Sequence, residues 1–147
     1  MIEWDPDFCG AEYDGPEPGR WVPAGYDADT SYMGQPTTPL HIAADDTAVH
    51  RIDVMGTSPH TAAGVRIGTT LVDLQAAYPA LSGPYAGPGS QVWWVQDAAG
   101  SMVFETQGGD LVAPGAPEQV ILIRVLAPGQ DPAFATANSG NVGDPCF

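Results

Sequence analysis

The sequence predicts an α+β domain: an antiparallel sheet of about five strands packed on one short helix, with a long irregular N-terminal arm. Three observations predict it. Residues 64–79 are the only stretch whose local chemistry marks a helix at both ends. Runs of apolar and polar alternation recur between residues 40 and 126, the mark of half-buried strands. Residues 1–39 are broken by proline and glycine and keep neither the strand nor the helix period. A chain of 147 residues suits one domain, with 1–39 as the arm, 40–126 as the core and 127–147 as a tail, and a domain of that size buries about two thirds of its unfolded surface.

Within the arm, Trp4, Phe8, Tyr13, Trp21, Tyr26 and Tyr32 are scattered among aspartates. A tract this aromatic is not disordered low-complexity sequence, so the rings are expected to lie on the rest of the domain. Leu40-His41-Ile42-Ala43 and Val49-His50-Arg51-Ile52-Asp53-Val54-Met55 alternate around the turn-forming Asp45-Asp46-Thr47. They read as a hairpin with Ile52 and Val54 on one side and Arg51 and Asp53 on the other. A loop then leads to the helix. Thr70 caps its first turn, Asp73 stands three residues on as in a capping box, and Pro79 ends it. Leu71, Leu74 and Tyr78 form its apolar stripe. So short a helix is marginal alone and has to lie on the strands.

Residues 82–90 are dense in glycine and proline and read as a loop. Residues 91–96 and 101–106 read as strands joined by Asp97-Ala98-Ala99-Gly100, and 118–126, the most β-branched segment, as a central strand after a loop over 107–117. Residues 49–54 and 120–125 share the pattern V-x-x-I-x-V, a faint internal echo.

Charge narrows the partners. Eighteen acidic residues face four arginines with no lysine, a net charge of −14. That surface repels nucleic acid and anionic lipid and leaves a cationic protein, a metal ion or a neutral glycan. Cys9 and Cys146 lie almost at the two ends. Joined, they would staple the termini and contribute about 4–5 kcal/mol on the chain-entropy model, which requires an oxidising compartment. Left apart, they are unrelated thiols. Their spacing matches no zinc motif. No signal segment precedes them and no run reaches membrane-spanning length, so an exported form implies a chain trimmed ahead of Met1 and not inserted in the membrane.

Several constellations carry chemistry. Trp93 and Trp94 are adjacent on a strand and must face opposite ways, one under the helix and one outward. With Tyr85 nearby, the outward indole is a candidate anchor for a protein or a sugar. His41 and His50 lie on the two hairpin strands and, with carboxylates, are candidate metal ligands. Asp27-x-Asp29 is a candidate for an irregular Ca2+ site, although the glycine and distal glutamate of the helix-loop-helix calcium motif are missing. Ser58-Pro59-His60 lies in a loop without a nucleophile elbow. A small secreted enzyme with a histidine–carboxylate site stays open, with no catalytic residue assigned.

The segment from Thr61 through Gly64-Val65-Arg66-Ile67-Gly68-Thr69-Thr70-Leu71 to Leu74 and Tyr78-Pro79 resembles an element of secreted actinobacterial envelope proteins and lipoproteins, of outer-membrane assembly lipoproteins of the SmpA/OmlA kind, and of the β-lactamase inhibitor protein. The lysine-free composition, rich in alanine, glycine and proline, is similar to that of high-GC actinobacterial proteins. The resemblance covers about twenty residues and implies a helix packed on an antiparallel sheet in an extracellular or cell-envelope protein. It departs in showing one helix where the inhibitor has helix pairs, and it carries over no functional residue. The expected function is a non-catalytic extracytoplasmic binding or structural module. An inhibitor of a secreted hydrolase is the alternative that the resemblance implies, and it would need an open aromatic sheet face and a basic partner.

Overall fold

A computed structural model of the protein describes residues 2–7, 19–25, 28–44, 47–108 and 114–136. The predicted bridge between Cys9 and Cys146, and the candidate ligand Asp27, lie outside the described residues.

Ten strands are described: β1 Ile2–Asp5, β2 Arg20–Pro23, β3 Asp29–Thr30, β4 Pro36–Thr37, β5 Leu40–Ala44, β6 Val49–Val54, β7 Ser82–Gly87, β8 Ser90–Asp97, β9 Gly100–Gln107 and β10 Gln119–Leu126, with helix α1 at Leu71–Ala77 between β6 and β7. Eight of them form one sheet in the order β1-β2-β5-β6-β10-β9-β8-β7, while β3 and β4 make a separate two-stranded ribbon. All of its pairs are antiparallel.

The class is α+β, but eight main-sheet strands replace the predicted five or so. Two of the additional strands come from the supposed arm. β1 and β2 are four residues each, too short to show a period, and they exist because β5 offers β2 a free edge. β7 comes from the supposed loop at 82–90. As the outermost strand it tolerates Pro84, since only its inner side bonds to a neighbour.

The echoed segments of β6 and β10 pair with each other at the centre of the sheet, Ile52 opposite Val125 and Val54 opposite Ile123. Beside them, Trp93, Phe104, Val120 and Ile123 on one face of the sheet form the core with Val65 and the fully buried Leu74 of α1, and Leu71 and Tyr78 pack against it. The helix is capped as expected at Thr70, whose hydroxyl accepts from the Asp73 amide at 3.2 Å. Asp73 is too short to reach back to the backbone and accepts from the Thr70 hydroxyl instead, at 2.7 Å. Gly64 and Gly68 have positive φ (81° and 89°) with open space where a Cβ would stand. They are therefore required for the turns that bury Val65 and Ile67 and not for close approach of the backbone.

The opposite face packs Val92, Val103 and Leu126 against Ala135, just after a 3-10 turn at Pro132–Phe134. Charges are buried there. Asp53 accepts from Arg124 Nε at 2.5 Å and pairs with Arg51 Nε at 3.2 Å, with Asp53 and Arg124 each only 1% exposed. Glu105 Oε1 accepts from Ser90 at 2.5 Å and from Thr136 at 2.8 Å. Burial lowers the Arg51 guanidinium from its ordinary pKa, Asp53 opposes that fall, and Arg124 adds to it.

Candidate binding face

Opposite residues in a β-ladder share a face, so the registers trace what each side of the sheet presents. Trp4 stands opposite Trp21, Trp21 opposite Ile42, Ile42 opposite Ile52 and Ile52 opposite Val125. Val125 in turn faces Met102 and Met102 faces Val95. One apolar row thus crosses seven strands without a polar interruption. The next row over is also apolar, running from Leu40 through Val54, Ile123 and Phe104 to Trp93.

The helix covers only part of this surface. Tyr78 reaches Met102, its hydroxyl 3.8 Å from the sulfur, and Val95 and Met102 pack against the core below it. Beyond α1 the row is exposed at Val125 (38%) and at Trp4 (49%), while Ile42 between them is buried at 9%. Trp4 and Trp21 meet edge to face, with centroids 5.6 Å apart and planes at 68°, a preferred arrangement for aromatic pairs.

Two clefts border these rows. One, about 480 Å³, is lined by Ala28, Asp29, Pro39, Leu40, Ser58, Pro59 and His60. Its wall is held by Asp29, which accepts from the Ser58 amide at 2.8 Å, the Ser58 hydroxyl at 3.0 Å and the Thr30 amide at 2.7 Å. Those donors, the Ser58 and Thr30 amides first, hold the Asp29 carboxyl below its ordinary pKa of 3.8. The other cleft, about 280 Å³, lies where the row meets the β8–β9 turn, between Val95, Asp97, Met102 and Val125.

The residues singled out in the sequence fall differently. Trp93 and Trp94 do face opposite ways. Trp93 is buried in the helix-side core and its indole N–H donates to Thr106 Oγ1 at 3.1 Å. Trp94, half-buried, packs on the Ala135 side, so the C-terminal segment is its neighbour. Tyr85 is exposed but turned to Phe134 at 5.2 Å, and it shares with Val92 the face opposite the apolar row. The three residues therefore do not form one anchor.

His41 lies opposite Asp53, while Ile52, two residues from His50, lies opposite Ile42. The pairing then shifts by one, from Ala43 opposite Arg51 to Ala44 opposite Val49, which places His50 in a β-bulge. Asp29 serves the loop at residues 57 and 58 through its oxygens. Among the described residues no group of three or more His, Cys, Asp or Glu is placed to hold a metal ion. In the first cleft Ser58 donates to Asp29, and His60 Nδ1 lies 3.5 Å from the Ser58 carbonyl. The Ser58 hydroxyl is thus directed at Asp29 and the His60 ring at a backbone carbonyl.

The chain matches no protein-family model, no curated protein and no solved structure. What the protein does is therefore read from its surfaces. Trp4 and Trp21, the residues that open the row, were legible only as scattered aromatics. Their one signal was the alternation of Ile2 with Trp4 and of Trp21 with Pro23, too brief to stand out.

Proposed function

We propose that the protein is a non-catalytic binding module acting outside the cytoplasm, in an envelope or secreted setting, and that the helix-bearing face of its sheet is the surface that binds. The single observation carrying this reading is the unbroken apolar row on that face, exposed at Val125 beyond α1 and again at Trp4, with the buried Ile42 between them. Keeping apolar surface in water costs about 25 cal/mol for each Å², and large apolar side chains left exposed at Val125 and Trp4 are the kind of feature that interaction sites use. The extracytoplasmic setting rests on the resemblance of residues 61–79 to envelope proteins and on the two near-terminal cysteines. The inhibitor alternative gains support from the same feature, since it needs an open aromatic sheet face.

The test is site-specific crosslinking in the cells that make the protein, with benzoylphenylalanine at position 125 and, as a control, at position 72 on the exposed side of α1. Crosslinks to a macromolecule from 125, lost when Trp4 is also changed to Ala, are expected. Equal yields from both positions, or none from 125, would overturn the reading.

A further inference from the structure

One end of the sheet leaves a strand with a side still to pair, and we infer that the outer edge of β1 takes up an extended segment of another polypeptide in which apolar and basic residues alternate. The inference goes beyond the reading of the sheet face, because it stands on a free edge and not on Val125. β1 is the end strand of the eight and pairs with β2 alone among the described residues. In a β-strand every second residue turns its amide and carbonyl to the same side. The outer side of Ile2–Asp5 therefore offers donors and acceptors to an incoming strand. The opposite edge of the sheet is less suited. There β7 carries Pro84, which has no amide, and its register with β8 is interrupted between Ser82 and Tyr85.

The side chains of β1 define what fits beside them. Ile2 and Trp4 alternate with Glu3 and Asp5, so the first pair lies on the helix-bearing face and the second on the other. Ile2 and Trp4 are both exposed, as is Glu3. Trp4 is nevertheless held in place. Its ring lies against Gly19, where a Cβ would have no room, and meets Trp21 edge to face. An indole fixed in one position and half in water makes a good anchor, since little side-chain freedom is left to lose on binding. A strand added at this edge sets its residues directly beside those of β1, so apolar residues suit Ile2 and Trp4 and basic ones suit Glu3 and Asp5.

Charge also decides between partners. Glu3, Asp5 and Asp7 are three carboxylates within five residues, and Asp5 accepts from the Asp7 amide at 3.0 Å. The one basic residue of β1 and β2 is Arg20, opposite Asp5. Two copies of β1 paired antiparallel with their apolar sides together would also set acid against acid, which is destabilising, and each copy carries −14 overall. Lysine or arginine on the partner removes that conflict, and the negative field speeds encounter. At about 3.4 Å for each residue the edge measures about 14 Å, so a segment of about six residues covers it.

The experiment titrates the full isotope-labelled chain with a capped hexapeptide of alternating lysine and valine and reads the amide resonances by NMR. Saturable shifts at residues 2–5, with slowed hydrogen exchange at the outward amides, are expected. A strand pairs through one edge. Of two further peptides, one N-methylated on the backbone at its lysines and one at its valines, a single one should therefore keep binding. Glu3→Lys, at an exposed position, should weaken the lysine peptide about fivefold and strengthen a glutamate–valine peptide, a reversal that loosening of β1 cannot produce. Val125→Gln should leave the affinity unchanged. The inference is overturned if no shift saturates at β1, if the two methylated peptides behave alike, or if Glu3→Lys moves neither affinity. It is overturned as well if Val125→Gln weakens binding as much as Glu3→Lys, which would put the peptide on the face. Crosslinking from position 125 tests that face separately, so either reading can fail while the other stands.

Discussion

Single carboxylates do most of the local work in this acidic chain, and two of them can be read out directly. Asp29 holds the loop at 57 and 58 as an anion, and its pKa is held below 3.8 by the amides of Ser58 and Thr30. A carboxyl with a depressed folded pKa contributes stability that is present above its unfolded value and lost as pH falls through the folded one. The Ser58 amide resonance should therefore titrate with a midpoint below 3.8, and Asp29→Asn should abolish that step. A midpoint above the ordinary value would contradict the clamp. Asp53 is a different case, since it is shared by Arg51 and Arg124 and lies out of water. Removing one partner of a buried pair costs about 3–5 kcal/mol, so Asp53→Ala should lower the unfolding free energy measured in urea by an amount in that range, while Asp73→Asn on the helix surface should cost far less.

At the scale of elements, α1 depends on what it lies on. Leu74 is fully buried in the core while its near neighbour Val72 is 75% exposed. Leu74→Ala is expected to cost about 2–5 kcal/mol, and Val72→Ala to stay within about 0.5 kcal/mol, both measured by denaturant unfolding. Thr70→Ala, which removes the cap, should cost about 1 kcal/mol. This helix was legible in the sequence because everything that sets its ends is local: Thr70, Asp73 and Pro79 act within one turn of the residues they define. The central hairpin and the strand at 119–126 were legible because they are long enough to show alternation. β1, β2 and β7 were not, for the opposite reason: each is short or rich in glycine and proline, and each is a strand only because a neighbour presents an unpaired edge. The apolar row was lost with them. Trp93 and Trp94 advertised themselves as a pair, yet one is core and the other packs beside Ala135, whereas Trp4 and Trp21 are separated by an interval that only the register of β1 and β2 closes.

For the whole molecule, the net charge acts on the fold itself. At −14 the chain repels itself, and compaction brings those charges closer. The Arg124–Asp53 pair is buried and is screened little by salt. Raising sodium chloride from about 0.1 M to about 1 M shortens the screening length from about 10 Å to about 3 Å, which should relieve repulsion more than it weakens attraction. The melting temperature is then expected to rise, by about 2–4 °C for each kcal/mol of repulsion removed in a domain of this size. Sodium chloride suits the measurement better than sulfate, which stabilises by exclusion from the surface whatever the charge. A melting temperature that falls as salt is added would mean that exposed ion pairs outweigh the repulsion.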